Sequence, residues 1–445
     1  PCSAMALSSQ VIWIKNKSPV MADDKKSLPD TPIHGSRPPE LGKASWLTAD
    51  SCQAVFLALE SGGHEGRAVG GAVRNSLMGQ AVSDVDISTP ALPDEVMRLC
   101  RAAGLGVHPT GLDHGTVTVV SDHVPYEVTT LRQDVETHGR HATVAFTRDW
   151  KADASRRDFT MNALYCDRHG VLFDPLGGLP DLLERRVRFI GDAGDRIRED
   201  FLRILRFFRF FATYGEGEID AEGLSAAAAE RDGLKGLSAE RIRGELLKLL
   251  IARRAHEALG LMSAHGIAEL VLGRKADLAR FGKLAELDST LMSVADPILR
   301  LAALATSDEA EARALASRLK LSNAERKKLV TVSGSLTSQF FPEPETNKVL
   351  LYRLGDATYQ GVCLNAWARS EASVDSIAWQ KAFQLPQHWK PPALPFKGAD
   401  VVSLGVPTGP DVGAVLKRFE AWWISEGFPD DATLLEAKLR ELADA

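Results

Sequence analysis

The chain is expected to fold as an α/β head built on a mixed sheet, followed by an all-α neck, body and tail. Three observations lead there. Between residues 44 and about 180, short alternating strand patterns at 66–69, 84–88, 115–120 and 126–131 are broken by Gly, Pro and Asp-His turns. Beyond about 182 those patterns stop, and apolar residues recur at helical spacing. With 445 residues, the chain also exceeds what one core normally organises.

The head opens with a helix near 50–61, for which Asp50 is the candidate cap. Helical spacing then covers 198–213, 222–230, 238–254, 255–271, 286–305, 308–320 and 322–338. A break at 384–400 carries Pro386, Pro391, Pro392 and Pro395, after which 411–425 and 431–443 again read as helices. The expected parts are a polar, poorly ordered leader (1–43), the head (44–181), the neck (182–262), the body (263–390) and the tail (391–445). Met5 and Met21 are possible internal starts.

Composition narrows the functional classes. No apolar run approaches the roughly 20 residues of a membrane span, so no membrane partner is expected. A net charge of −6 argues mildly against a protein that coats nucleic acid, but charge is local: eight arginines face four acids between Arg185 and Arg209. The five cysteines lie far apart without metal-binding spacing, which speaks against a disulfide framework or structural zinc and for a reducing cytoplasm.

The stretch 68–89, AVGGAVRNSLMGQAVSDVDIST, concentrates the chemistry. A strand runs into Gly70 and Gly71, where the backbone can approach a phosphate, and the helix that follows places Arg74 in its first turn. In a strand, residues two apart share a face, so Asp84 and Asp86 would present paired carboxylates while Val85 and Ile87 face the core. Such a pair needs a cation or a raised pKa, and hard oxygen ligands suit Mg²⁺. Alone, the aspartates could be a solvated loop. Ten residues after Gly-Gly-x-x-Arg, they point to phosphoryl or nucleotidyl transfer.

Other segments carry matching groups. SRRDFTMNALYCD (155–167) supplies Arg156, Arg157, Asp158 and Asn162. Glu127 lies on a second strand beside the presumed active one, as a third carboxylate or merely an edge-strand glutamate. REDFLRILRFFRF (198–210) spaces Asp200, Arg203, Arg206 and Arg209 by three, as one helical stripe or as salt bridges on a solvated helix.

These motifs, in this order, resemble those of the class II CCA-adding tRNA nucleotidyltransferase and bacterial poly(A) polymerase family, with its DNA polymerase β-like head. DPLGGLPDLLERRVRFIG (174–191), AERIRGELLKLL (239–250) and FKGADVVSLGVPTGPDVG (396–413) resemble its hinge, neck helix and C-terminal RNA-contacting segment. Asn75 stands where the family usually has aspartate, and Phe201 where proline is frequent. The resemblance implies addition of CMP and AMP from CTP and ATP to the 3′ end of tRNA, with two Mg²⁺ ions. It implies Asp84, Asp86 and Glu127 at the catalytic centre, Asp84 and Asp86 as metal ligands, and the nucleotide held by Gly70, Gly71, Arg74, Arg157, Asp158, Asn162, Asp200, Arg203, Arg206 and Arg209. Asp200 and Arg203 would read the base edge. No His-Asp pair suggests an appended HD phosphohydrolase domain. Poly(A) synthesis, CC-only or A-only addition, and an inactive RNA-binding module are the alternatives. Against the first, PTGLDHGTVTVV (109–120) stands where poly(A) polymerases carry a basic-aromatic segment. The CC-only and A-only cases depend on a flexible loop expected within 131–146.

Overall fold

The structure, a computed structural model, describes residues 41–138, 141–292, 294–334, 337 and 340–444. The expected leader therefore lies outside the described residues except for 41–43, a 3₁₀ turn that buries Leu41. The chain forms two compact units, one ending at Leu237 and the next beginning at Ser238, so residues 182–237 share the unit of the sheet.

In the first unit, helices α1 (Ser45–Thr48), α2 (Asp50–Ser61), α3 (Gly71–Leu77) and α4 (Pro93–Ala102) accompany a mixed sheet. Its strands are β1 (Arg67–Val69), β2 (Asp86–Thr89), β3 (Gly106–Gly111), β4 (Thr116–Ser121), β5 (Val124–Thr130), β8 (Tyr165–Cys166) and β9 (Leu172–Phe173), in the order β3-β4-β5-β2-β1-β8-β9. Only β2 and β5 pair in parallel. Along β4, Val117 and Val119 alternate into the core, where α2 and α4 bring Phe56, Leu59, Val96 and Leu99. That alternation is the period-2 pattern read from the sequence. Asp50 does not cap α2: Ala49 holds that position, and Asp50 is the first helical residue, where its charge still favours the positive helix end.

Segment 131–146, expected as a loop, contains the antiparallel ribbon β6 (Arg132–His138) and β7 (His141–Phe146), apart from the main sheet. After it come α5 (Trp150–Ser155), α6 (Leu179–Leu183), α7 (Ala193–Glu199), α8 (Leu202–Tyr214) and α9 (Ala221–Ala229). The helix expected over 198–213 is thus interrupted. Asp200 has extended dihedrals (φ −154°, ψ 103°), and its carboxylate accepts from the Leu202 amide 3.1 Å away to start α8. The Phe201 ring lies where a Cβ on Gly233 would stand only 2.0 Å from it. Phe159 packs against Phe189 and Phe210, and Phe189 stacks on Phe207, with centroids 4.9–5.2 Å apart, which fastens α8 against the 156–162 segment.

The second unit is helical among its described residues, beginning with α10 (Ala239–Leu250). The span expected at 255–271 divides at Gly266, which adopts φ 70°. The span expected at 286–305 is two helices, 278–291 and 297–305, the second started by Asp296 and Pro297. Between them runs a buried ion pair: Arg300 donates to Asp288 at 2.7 and 2.8 Å and to the Leu250 carbonyl at 2.9 Å. Replacing Asp288 by Ala strands the guanidinium, and a loss of about 3–5 kcal/mol is expected. Thermal denaturation of wild type and D288A side by side checks this, and equal midpoints would refute it. Helices 410–425 and 432–444 close over Phe419, Trp423, Leu435 and Leu439. No helix among the described residues is long and apolar enough to cross a membrane.

Candidate active site

The first unit contains a cleft of about 320 Å³ lined by Gly70, Gly71, Arg74, Asp86, Arg156, Arg157, Asp158, Asn162, Asp200, Arg203, Arg206 and Phe210. Ten of the residues expected in the site meet there, from three separated stretches of chain. Asp84, Glu127 and Arg209 do not line it.

Strand β1 ends at Val69, and Gly70 turns the chain with φ 68° and ψ −117°, dihedrals that an L side chain resists. The turn feeds α3, on which Arg74 is buried rather than open to solvent. Its guanidinium lies 4.2 Å from the Tyr214 ring centre and 5.2 Å from that of Phe210. It donates to Asn162 Oδ1 at 2.6 Å, Tyr214 Oη at 2.8 Å and Asn75 Oδ1 at 2.9 Å. Burial lowers its pKa, with Tyr214 and Asp158 opposing and Arg209 and Arg206 reinforcing the shift. Asn75 uses its amide as well, donating to the Ala81 carbonyl at 3.0 Å, a bond an aspartate at this position would not make.

Asp86 opens β2 opposite Val69 on one side and Glu127 on the other. The expected strand pair is corrected here, because Asp84 precedes the strand. The antiparallel partner β1 has already turned away at Gly70, so no ladder extends to Asp84, which accepts a hydrogen bond from Ser83 at 2.8 Å. Val85 and Ile87 are buried as expected. Burial raises the Asp86 pKa, the Glu127 carboxylate raises it further, Arg157 lowers it, and Asp84 adds a smaller upward push. That is the electrostatic state of carboxylates a cation would relieve. Among the described residues, no three His, Cys, Asp or Glu side chains form a metal cage. The Asp86 carboxylate, its pKa pushed upward by burial, Glu127 and Asp84, fits a hard divalent cation that would take its remaining ligands from water and phosphate oxygens.

Asp158 is almost fully buried and held by four donors. Arg206 donates to its Oδ2 at 2.6 and 2.8 Å, while the Phe159 amide and Asn162 Nδ2 donate to its Oδ1 at 2.9 Å. Burial pushes its pKa up, but Arg206 and the hydrogen bonds more than offset this, and the net shift is downward. All the usual lone-pair sites of the carboxylate are taken. Its ion partner is Arg206, 48 residues away, rather than a neighbouring arginine.

The expected stripe of Asp200, Arg203, Arg206 and Arg209 is also corrected. Asp200 is off the helix, and a three-residue step falls about 60° short of a full helical turn, so the side chains drift around α8. Arg209 has moved out of the cleft lining and lies 4.6 Å from the Phe210 ring centre. Arg203 donates to Glu199, to the Arg196 carbonyl and to the Arg156 carbonyl at 2.5, 2.9 and 3.0 Å. Those bonds leave Nε–H and one Nη2–H available. Sequence reasoning missed Phe210 and Tyr214, which box in Arg74. An aromatic one residue from a site arginine was the only signal.

Comparison with known proteins agrees with this geometry. Residues 66–188 match the family described as Poly A polymerase head domain, and residues 218–274 that described as Probable RNA and SrmB- binding site of polymerase A. The chain is 35% identical to CCA tRNA nucleotidyltransferase 1, mitochondrial, of Mus musculus, covering 82% of this chain and 84% of that protein. The chain belongs to the CCA tRNA nucleotidyltransferase family. Across kingdoms the likeness persists: the CCA-adding enzyme of Levilactobacillus brevis is 30% identical, with 88% of this chain and 98% of that protein covered. The fold agrees with that of the Bacillus stearothermophilus CCA-adding enzyme in complex with CTP, at a TM-score of 0.67 and 28% identity over 84% of this chain and 92% of that one. Family membership accounts for the mixed-sheet head followed by helices.

Proposed function

We propose that this nucleotidyltransferase adds CMP and AMP from CTP and ATP to the 3′ end of tRNA, completing or repairing CCA. The observation that carries the proposal is the single cleft uniting the glycine turn, Arg74, Asp86 and the Asp200–Arg206 segment. Two Mg²⁺ ions, held by Asp84 and Asp86, would lower the pKa of the RNA 3′-hydroxyl and neutralise phosphate oxygens. Glu127, beside Asp86 across the parallel ladder, would act as a third carboxylate that helps the metals or the attacking hydroxyl. Gly70 and Gly71 let the backbone approach the triphosphate, and Arg74 and Arg157 steady it through to pyrophosphate departure. Asn162 fixes Arg74, and Asp158 meets a ribose hydroxyl once Arg206 turns from Oδ2 to the nucleotide. Arg209, outside the lining, contributes through its field. Asp200 and Arg203 select the base. Most of the rate enhancement is positioning and charge stabilisation.

The test is Mg²⁺-dependent incorporation of labelled CTP and ATP into tRNA ending at the discriminator base, at -C and at -CC, with EDTA as control. Full addition to all three supports the proposal. Extension of an A tract from ATP alone identifies a poly(A) polymerase, arrest after CC or dependence on a CC end a partial enzyme, and no incorporation an inactive RNA-binding module. Neck, body and tail are assigned the tRNA grip, so affinity should fall steeply between low and moderate salt as the entropy gained by releasing counterions shrinks. A filter-binding titration that is flat in salt would contradict that assignment. The reading includes a cytoplasmic location, argued from Cys52, Cys100, Cys166 and Cys363, all buried and unbridged.

A further inference from the structure

Behind the cleft, one buried carboxylate holds both of its neighbouring arginines. Asp153, on α5, is 1% exposed and does not line the cleft. Its Oδ1 accepts from Arg156 at 2.9 Å (Nε) and 2.8 Å (Nη2), and from the backbone amide of Arg132, at the root of the β6–β7 ribbon, at 3.3 Å. Its Oδ2 accepts from Arg157 Nη2 at 3.1 Å and Tyr165 Oη at 2.9 Å. Tyr165 in turn accepts from Arg157 Nε at 3.3 Å. The Arg157 guanidinium is thereby gripped on two nitrogens, and its Nη2 also reaches Ser88 Oγ at 3.4 Å on the strand that begins with Asp86. Its remaining Nη1 lies 3.9 Å from where a Cβ on Gly70 would stand, beside the glycine turn.

Burial pushes the Asp153 pKa up, yet it is lowered overall, because Arg157 and Arg156 more than offset the cost of desolvation. Arg157 is correspondingly pushed up: burial opposes its charge, and Tyr165 and Asp153 overcome that. Neither arginine has another carboxylate as ion partner among the described residues. A long, rotamer-rich arginine at a phosphate site gains most from being held before the ligand arrives.

We infer that Asp153 is a positioning residue of the nucleotide site, which sets Arg157 against the glycine turn before the triphosphate binds. The inference rests on the proposed contact between Arg157 and the nucleotide, and it concerns a residue that never touches the substrate. Asp153→Asn is a selective probe: its amide oxygen can still accept from Arg156 and Arg132, while its NH₂ faces the donors of Arg157 and Tyr165.

The experiment measures equilibrium binding of CTP and of tRNA lacking CCA to full-length wild type, D153N, R157A and the double variant, in Mg²⁺. D153N is expected to weaken CTP binding about tenfold and leave tRNA affinity within about twofold, a split that general loosening of the fold would not produce. The double variant is expected to bind CTP no worse than R157A, because the carboxylate acts through that arginine. Wild-type CTP affinity in D153N, or additive losses in the double variant, overturns the inference. Wild-type affinity in R157A beside a loss in D153N shows instead that the reading of Arg157 is wrong, and the inference falls with it. Should D153N not fold, Tyr165→Phe removes the bridging hydroxyl but keeps the charge. Its CTP affinity is expected to drop about threefold in the presence of Arg157 and not at all in its absence, and any other pattern counts against the inference.

Discussion

Asp86→Ala is expected to reduce kcat for both CMP and AMP addition by about 10³-fold or more, equivalent to about 4 kcal/mol of transition-state stabilisation. Asp86 stands at the head of β2, its backbone paired with Val69 on one side and Glu127 on the other. Asp84→Ala should be comparably disabling through the same cation, although its carboxylate sits on the preceding loop. Affinity for tRNA should stay within a few fold in both variants, since the proposed RNA grip belongs to other elements. Near-normal turnover of either variant at saturating Mg²⁺ would remove these residues from the catalytic centre.

Base choice should collapse when Asp200 loses its carboxylate. Cytosine and adenine each show an amino donor beside a ring-nitrogen acceptor, whereas uracil and guanine show a carbonyl beside an N–H donor. A carboxylate next to a guanidinium matches the first pair and opposes the second. Asp200 and Arg203 both line the cleft, and Arg203 retains Nε–H and one Nη2–H beyond its three protein bonds. Asp200→Ala should lower the ratio of kcat/KM for CTP to that for UTP by about 100-fold or more, because mismatched buried polar groups are what reject the wrong edge. The alanine also removes a helix-starting bond worth about 1 kcal/mol. Asp200→Asn keeps that acceptor and isolates the charge, and it should relax selectivity as well. A ratio unchanged in both variants would mean that base choice lies elsewhere.

How much of this was legible depended on whether the physics was local. Strands β4 and β5 and helix α9 announce themselves by periodicity, because each has one buried face. Strand β3 did not. It is an exposed edge strand containing Pro109, which cannot donate to a ladder, and its register shifts between His108 and Gly111. Helix 356–369 also escaped notice: Tyr359 and the residues from Gly361 to Ala368 are all buried, so it shows no polar face to give a period. Strands β8 and β9 have two residues each, too few for any pattern. The site was readable where side chain and motif coincide, as at Gly70, Arg74 and Asp158. It was not readable where tertiary geometry decides. Nothing in the sequence announces that Asp200 leaves the helix, whereas the drift of Arg209 follows from its three-residue spacing and the hold of Asp153 on Arg156 and Arg157 from spacings of three and four.

The contact of Phe201 with Gly233 bears on the history of the chain. The Phe201 ring fills the space that a side chain at 233 would need. A side chain at 233 would therefore require the Phe201 ring to move, which couples the two positions. Alanine at 233 would press on the phenylalanine ring, whereas glycine there leaves room for it beside Asp200. Sequences of relatives should accordingly show the two residues travelling together.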